Sequence, residues 1–259
     1  MRFDATTLAW RAAAAAIVVF MLTPLALLIL FCFTESSLIA FPIKGFSLHW
    51  FRELYARPQF WDALENSLIV TSTVGAASTV IGTMAALPLA RLGARAAGVS
   101  MLLLSLPVML PPLVLGIALL SYFSSLDLKL GLPTVILAHL VFTQPFVVLI
   151  VHARMAAFDQ ATVEAARDLG ASPLKAFFSI TLPIVRPTVI GAGLVAMALS
   201  LDDFIVTFFT IGGGNTLPTF LWGMLRKGVD PTINVASVML LLLTLATALL
   251  ALRATRYRG

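Results

Sequence analysis

Charge is scarce in this chain. Only 11% of its 259 residues are Asp, Glu, Lys or Arg, against about 25% in an average soluble domain. With 60% hydrophobic residues and a mean hydropathy of +1.01, the chain has too little polar side chain to coat a globule in water. A soluble globular fold is excluded. Cysteine is nearly absent too: Cys32 stands alone inside an apolar run, which rules out an intrachain disulfide and argues against redox chemistry. No lysine follows a glycine, since Ile43, Leu128, Leu174 and Arg226 precede the four lysines. The Gly-Lys pair of a Walker A phosphate loop is therefore missing. Three scattered histidines and one cysteine offer no metal-ligand spacing. There is no low-complexity tract, acidic tail or internal repeat.

Long apolar runs take the place of these features. A spanning helix needs roughly 20 mostly apolar residues, and six stretches qualify, at about 12–33, 66–90, 98–123, 133–152, 187–210 and 233–252. They predict an all-α polytopic membrane protein, with residues 1–259 forming a single transmembrane domain. Arg2 and Arg11 precede the first run as in a signal peptide. The run exceeds the 7–15-residue core of a signal, and no small-residue cleavage site follows, so it reads as an anchor that stays.

The net charge of +5 sets orientation rather than nucleic-acid binding. With a cytoplasmic N-terminus, the inner segments hold eleven basic residues: Arg2, Arg11, Arg91, Arg95, Arg154, Arg167, Lys175, Arg186, Arg253, Arg256 and Arg258. The outer segments hold the other six of the 17, namely Lys44, Arg52, Arg57, Lys129, Arg226 and Lys227. The excess places both termini inside. The first outer loop, with Trp50, Tyr55 and Trp61, suits a short helix lying at the membrane interface. Asn66 and Ser67 are placed to cap the second span.

Several spans carry unusual residues. Ser78, Gly82, Ala86 and Ala90 recur every four residues on the second, a small-residue stripe that lets a helix of this bundle, or of a second protein, pack closely. The third contains "LPVMLPPLVLG", with Pro107, Pro111 and Pro112. Such a run cannot continue a regular helix; it predicts either a broken helix beside a pathway or a kink that aids packing. His139 and Gln144 on the fourth span are expected to bond to neighbouring helices. Asp202 and Asp203 lie about 16 residues into the fifth, roughly 24 Å along it. Each costs about 2.5–3.5 kcal/mol at a bilayer centre, and no Lys or Arg within the spans offsets them. They predict a polar route for a cationic solute, or hydrogen bonds to loop backbone or a partner helix. Phe204, Phe208 and Trp222 add cation–π surface or plain membrane anchors.

Between the fourth and fifth runs lies "EAARDLGASPLKAFFSITLP", residues 164–183. Asp159 is placed to cap a helix of about 160–169, and Gly170 suits the left-handed residue that ends it. Ser172 and Pro173 restart a helix as N-cap and first-turn residue, and Pro183 and Pro187 are expected to break the chain before the fifth span. Glu164 and Arg167 are spaced to pair at i,i+3. The product is a cytoplasmic hairpin over about 159–186, with little side-chain bulk at Ala161, Ala165 and Ala166, suited to a groove on another protein.

The stretch resembles the signature of membrane subunits of binding-protein-dependent ABC importers: Glu-Ala-Ala, three residues, Gly, nine residues, then Ile-x-Leu-Pro. Glu164, Ala165, Ala166, Gly170, Ile180, Leu182 and Pro183 occupy every fixed position. The resemblance implies a type I importer permease fold in the bacterial inner membrane, with this loop docking into a separate ATP-hydrolysing subunit. It implies a second permease, a non-identical one, two ATPase subunits and a periplasmic solute-binding protein as partners. No cofactor is expected on this chain, ATP and Mg being used by the ATPase. "LPVMLPPLVLGIALL" and residues 200–237 are similar to the spermidine/putrescine branch, which implies a small cationic nitrogenous solute. An amino-acid derivative, opine or phosphonate is the alternative.

Two other classes fit the sequence less well. Adjacent aspartates on a helix point about 100° apart, so Asp202 and Asp203 make a poor proton-sharing protease dyad, which needs its carboxyls about 3 Å apart. An ion-coupled secondary transporter fits six spans with intramembrane carboxylates, but such folds often carry internal repeats, and it leaves the hairpin unexplained.

Overall fold

The computed structural model describes residues 5–228 and 230–256, and these are mostly helical. Arg2 and Arg258, counted above for orientation, lie outside the described residues. Among the described residues, five helices are long and apolar enough to cross a membrane, and a sixth candidate is a helix pair bent by 95° at a short break. The chain divides into two compact units.

One unit comprises Met1–Trp61 and Leu221–Leu241. Helix α1 (Ala5–Phe31) is apolar all round and almost entirely exposed. An all-apolar helix without a solvated face is a membrane span by composition. The loop after it folds back through a bridge between Thr34 and Phe46, and the Trp50 indole donates to the Thr34 carbonyl at 2.7 Å. Helix α2 (His49–Tyr55) is the short loop helix that the aromatic residues predict. Its Glu53 pairs with Arg57, which also reaches Asp230 at 3.6 Å.

The other unit comprises Asp62–Phe220 and Leu242–Gly259. Its centre is formed by α3 (Pro58–Leu89), α6 (Leu132–Ala156) and α9 (Leu182–Asp202). Ala86, Val147, Val148, Val151, Val185, Val189, Ala192 and Ala196 interlock there with almost no exposure. The small-residue stripe of α3 serves this bundle: the Ser78 hydroxyl bonds to that of Thr143 at 2.9 Å, and Ala86 is fully buried. Gly75 and Gly193 mark an equally close crossing of α3 and α9. A Cβ on Gly75 would overlap Met197, and one on Gly193 would overlap Thr79.

Two spans, the second and the fifth, differ in their bounds from the sequence reading. Helix α3 begins at Pro58, so Asn66 and Ser67 lie inside it and do not cap it. Their polar groups serve another element. Asn66 donates to the Asn215 carbonyl at 2.9 Å, and the Ser67 hydroxyl accepts from the Leu217 amide at 2.8 Å, at the start of α11 (Leu217–Lys227).

The third span is two helices, α4 (Ala94–Met109) and α5 (Pro112–Ser125). A proline biases the residue before it toward extended backbone, and here two prolines follow in succession. Leu110 (ψ 142°) and Pro111 (ψ 135°) are accordingly both extended.

The fifth span starts earlier and ends sooner than 187–210. It runs from Pro173 to Asp202 without a break, through α8 (Pro173–Ala176), a π turn (Phe177–Thr181) and α9. Pro183 and Pro187 do not interrupt it. The π turn lies just ahead of Pro183, with the Leu182 amide donating to the Phe177 carbonyl. This local widening accommodates a missing donor and a ring that a regular turn would not. The helix stops instead at Asp203 and resumes as α10 (Ile205–Thr210). The last span is α12 (Pro231–Arg256).

Candidate coupling hairpin and solute cavity

The hairpin is built by its local sequence. The Asp159 carboxylate accepts from the Ala161 amide at 3.0 Å, ahead of α7 (Ala161–Asp168). Gly170 takes the left-handed conformation at φ +88°. Its amide donates to the Arg167 carbonyl, and that of Ala171 to the Ala166 carbonyl. This paired closure is the Schellman motif, which supplies donors to carbonyls that the ending helix leaves orphaned. The Ser172 hydroxyl then accepts from the Lys175 amide at 3.3 Å and starts α8. No residue of α7 is buried, and Leu169, Leu174 and Phe178 are 90%, 72% and 62% exposed. Exposed leucine and phenylalanine beside Glu164 and Ala165 make a mixed surface suited to a protein groove. Glu164 and Arg167 form no ion pair, and both remain exposed. Ile180, Leu182 and Pro183 lie one turn deeper, where the π turn passes into α9.

At the other end of this rod lies a cavity of about 800 Å³. Its walls are apolar: Leu194, Ala198 and Leu199 from α9, Phe142 and Phe146 from α6, Pro107, Leu110 and Pro112 from the broken span, and Ala248 and Leu252 from α12. Among the described residues, the only polar side chains lining it apart from Thr244 are Asp202 and Asp203, and no basic residue lines it.

The two aspartates are held differently. Asp203 Oδ2 accepts from the Thr207 amide at 2.8 Å and lies 3.1 Å from the Thr207 hydroxyl. It also lies 3.3 Å from His139 Nε2, and its side chain is 14% exposed. The buried imidazole completes the set, with Nδ1 2.8 Å from Ser200 Oγ and Nε2 2.9 Å from Thr207 Oγ1. Asp203 thus caps α10. Asp202, the last residue of α9, is exposed and has no hydrogen-bond or ion-pair partner among the described residues.

The other sequence candidates fall in several places. Pro107 and Pro112 line the cavity, whereas Pro111 does not. Phe204 and Phe208 pack on each other at 5.6 Å between ring centres and are not part of its wall. Trp222 belongs to the other unit. His139 bonds to neighbouring helices as expected, but Gln144 does not: its buried amide atoms have no partner among the described residues. Sequence reasoning missed Ser200 and Thr207, and the lining role of Phe142 and Phe146. A lone histidine in an apolar helix, which must find partners when buried, was the available signal for the first two.

Residues 78–259 match the family described as binding-protein-dependent transport system inner membrane component. The chain belongs to that family. It is 34% identical over 230 residues to the putrescine transport system permease protein PotI of Escherichia coli K12, covering 86% of this chain and 82% of that one. It is 30% identical over 214 residues to the spermidine/putrescine transport system permease protein PotC of Haemophilus influenzae, covering 82% and 83%. Among solved structures, a bacterial alginate ABC transporter in complex with an alginate-bound periplasmic protein superposes with a TM-score of 0.69 at 17% identity, over 96% of this chain and 94% of that one. The inward-facing MetNI methionine ABC transporter superposes at 0.60 and 18% identity, over 78% and 98%. At these identities the superpositions establish the fold. The chain is an inner-membrane transport subunit, not an enzyme, and ATP hydrolysis belongs to a separate subunit. Membership implies work with partner subunits: another permease, an ATPase and a solute-binding protein.

Proposed function

We propose that this chain forms half of the translocation pathway for a small cationic nitrogenous solute of the polyamine class. The observation that carries this reading is Asp202, a carboxylate with no partner among the described residues, facing a mostly apolar cavity that no described basic residue lines. An anion in such surroundings favours a desolvated ammonium, and the apolar wall suits a methylene stem. Relatives named for putrescine and spermidine transport support the same class.

The second half of the pathway comes from a non-identical permease, and two ATPase subunits dock on the hairpins. This chain binds no cofactor, ATP and Mg being used by the ATPase. The hairpin faces the cytoplasm with both termini. Protection of Ser172→Cys, in a Cys32→Ser background, from an impermeant thiol reagent in intact cells tests that orientation; labelling from outside would reverse it. Because the rod is continuous from Pro173 to Asp202, a movement of the docked hairpin is transmitted to the carboxylate about 45 Å away. Alternating access then follows as rocking of packed helices between two states.

The test is ATP hydrolysis by the assembled complex with its solute-binding protein, screened across polyamines, amino-acid derivatives, opines and phosphonates. Stimulation by polyamines is expected. Stimulation by a phosphonate alone would overturn the charge assignment.

A further inference from the structure

Asp203 and His139 are neighbours in space because three helices meet at one imidazole. His139 rises from α6, Ser200 from the last turn of α9, Asp203 from the break and Thr207 from α10. His139, Ser200 and Thr207 are each 4% exposed or less, so the contacts are shielded from competing water. One hydrogen-bond arrangement satisfies them all. The Ser200 hydroxyl donates to Nδ1, and Nε2–H donates to Thr207 Oγ1 or Asp203 Oδ2. The carboxylate, an acceptor only, also takes the Thr207 amide. The ring therefore fastens both arms of the break to a third helix.

This matters for the residue beside it. Asp202 is the last helical residue before the break, and its direction follows from where α9 stops and how the chain leaves. No contact of its own fixes it. A turn without proline or glycine, at membrane depth, persists only while its freed backbone groups are re-satisfied. Here the Asp203 carboxylate takes the Thr207 amide and the Thr207 hydroxyl donates to the Asp203 carbonyl, and His139 holds both side chains in place.

We propose that His139 is a positioning residue for solute recognition: by locking Ser200, Asp203 and Thr207 to α6 it holds Asp202 in the cavity. The role of the lock rests on the reading of Asp202 as the solute-facing carboxylate. Asp203 is thereby a structural partner of His139, and the adjacent pair divides into one recognising and one anchoring carboxylate.

The experiment uses the assembled transporter in membranes with Cys32→Ser, so that introduced thiols are the only ones on this chain. The probe is a small alkylammonium thiosulfonate, which reports cavity access without knowledge of the native solute. Asp202→Cys and Leu199→Cys are labelled separately, the second lying on α9 ahead of the break and also lining the cavity. Adding His139→Leu is expected to change the labelling rate at position 202 about tenfold or more, a size typical of a supporting partner removed from a functional group. The rate at 199 should stay within about threefold. His139→Gln, which retains a donor and an acceptor, should restore most of the rate at 202. Unchanged labelling at 202, or equal changes at 202 and 199, would overturn the proposal. If His139→Leu does not assemble, Ser200→Ala and Thr207→Val each remove one contact. A change confined to 202 then supports the lock, and no change there refutes it. The labelling stands apart from solute identity, which the ATP hydrolysis screen decides on its own.

Discussion

Leu110–Pro111 and Asp203–Phe204 are both places where a membrane-spanning helix stops and starts again, yet they are made from different materials. At the first, two successive prolines push two successive residues into extended conformation, at ψ 142° and 135°, and the two helices diverge by 95°. At the second no residue is a breaker. Asp203 leaves the helix at ψ 123°, its carboxylate accepts the Thr207 amide that the restarting helix exposes, and a histidine from another helix holds that carboxylate. Pro183 and Pro187 give the counter-example, since they sit within a continuous rod. Isolated prolines are absorbed where a π turn or a packed neighbour takes up the strain, and an unremarkable stretch can break where side chains cap it.

The contrast yields predictions of decreasing size. The largest effect is expected at the locally encoded break. Pro111→Ala combined with Pro112→Ala allows α4 and α5 to join, and spin labels at Arg95 and Ser124 should move from roughly 30 Å apart to roughly 40 Å, at 1.5 Å per residue along each arm. Uptake should be lost with the bend. An unchanged distance would show that packing, not proline, makes this turn.

At the break made by contacts, Asp203→Leu removes the acceptor while leaving the Thr207 amide and His139 behind. We expect about 2–4 kcal/mol of destabilisation, read as a lower Tm of the purified complex. Asp203→Asn, which keeps an acceptor, should cost about 1 kcal/mol. Equal losses for the two variants would mean that shape rather than hydrogen bonding matters there.

Gly170→Val probes a second locally encoded turn. A β-branched residue at φ +88° is strained by about 1–3 kcal/mol, so the hairpin should distort while the bundle stays folded. Uptake at matched expression should fall several-fold, and wild-type uptake would remove the docking role of the turn.

This division also explains what could be read from the sequence. The presence of the spans, the turn of the hairpin and an interruption of the third span were legible, because apolar length, an αL glycine, a serine–proline restart and a double proline act through the local backbone. The ends of the fifth span, expected at 187 and 210, were not. The family signature in the hairpin was legible for the same reason. The start of the second span was not, since Asn66 and Ser67 look like caps but serve a loop about 150 residues away. Nor was the split between the two aspartates. In sequence they are equivalent neighbours. Only the structure shows that Asp203 is tied to Thr207 and to His139 from α6 while Asp202 lines the cavity with no partner among the described residues.

The central claim is that Asp202 gives this pathway its preference for positive charge. The most direct test compares uptake of putrescine with uptake of an uncharged diol of the same length by the reconstituted complex, for the native chain, Asp202→Asn and Asp203→Asn at matched assembly. Asp202→Asn removes the negative charge that the diamine meets in the cavity, and it should reduce the preference for the diamine about tenfold, equivalent to about 1.4 kcal/mol. Asp203→Asn should lower overall uptake while keeping the preference. An Asp202→Asn transporter that retains the native preference would contradict the account.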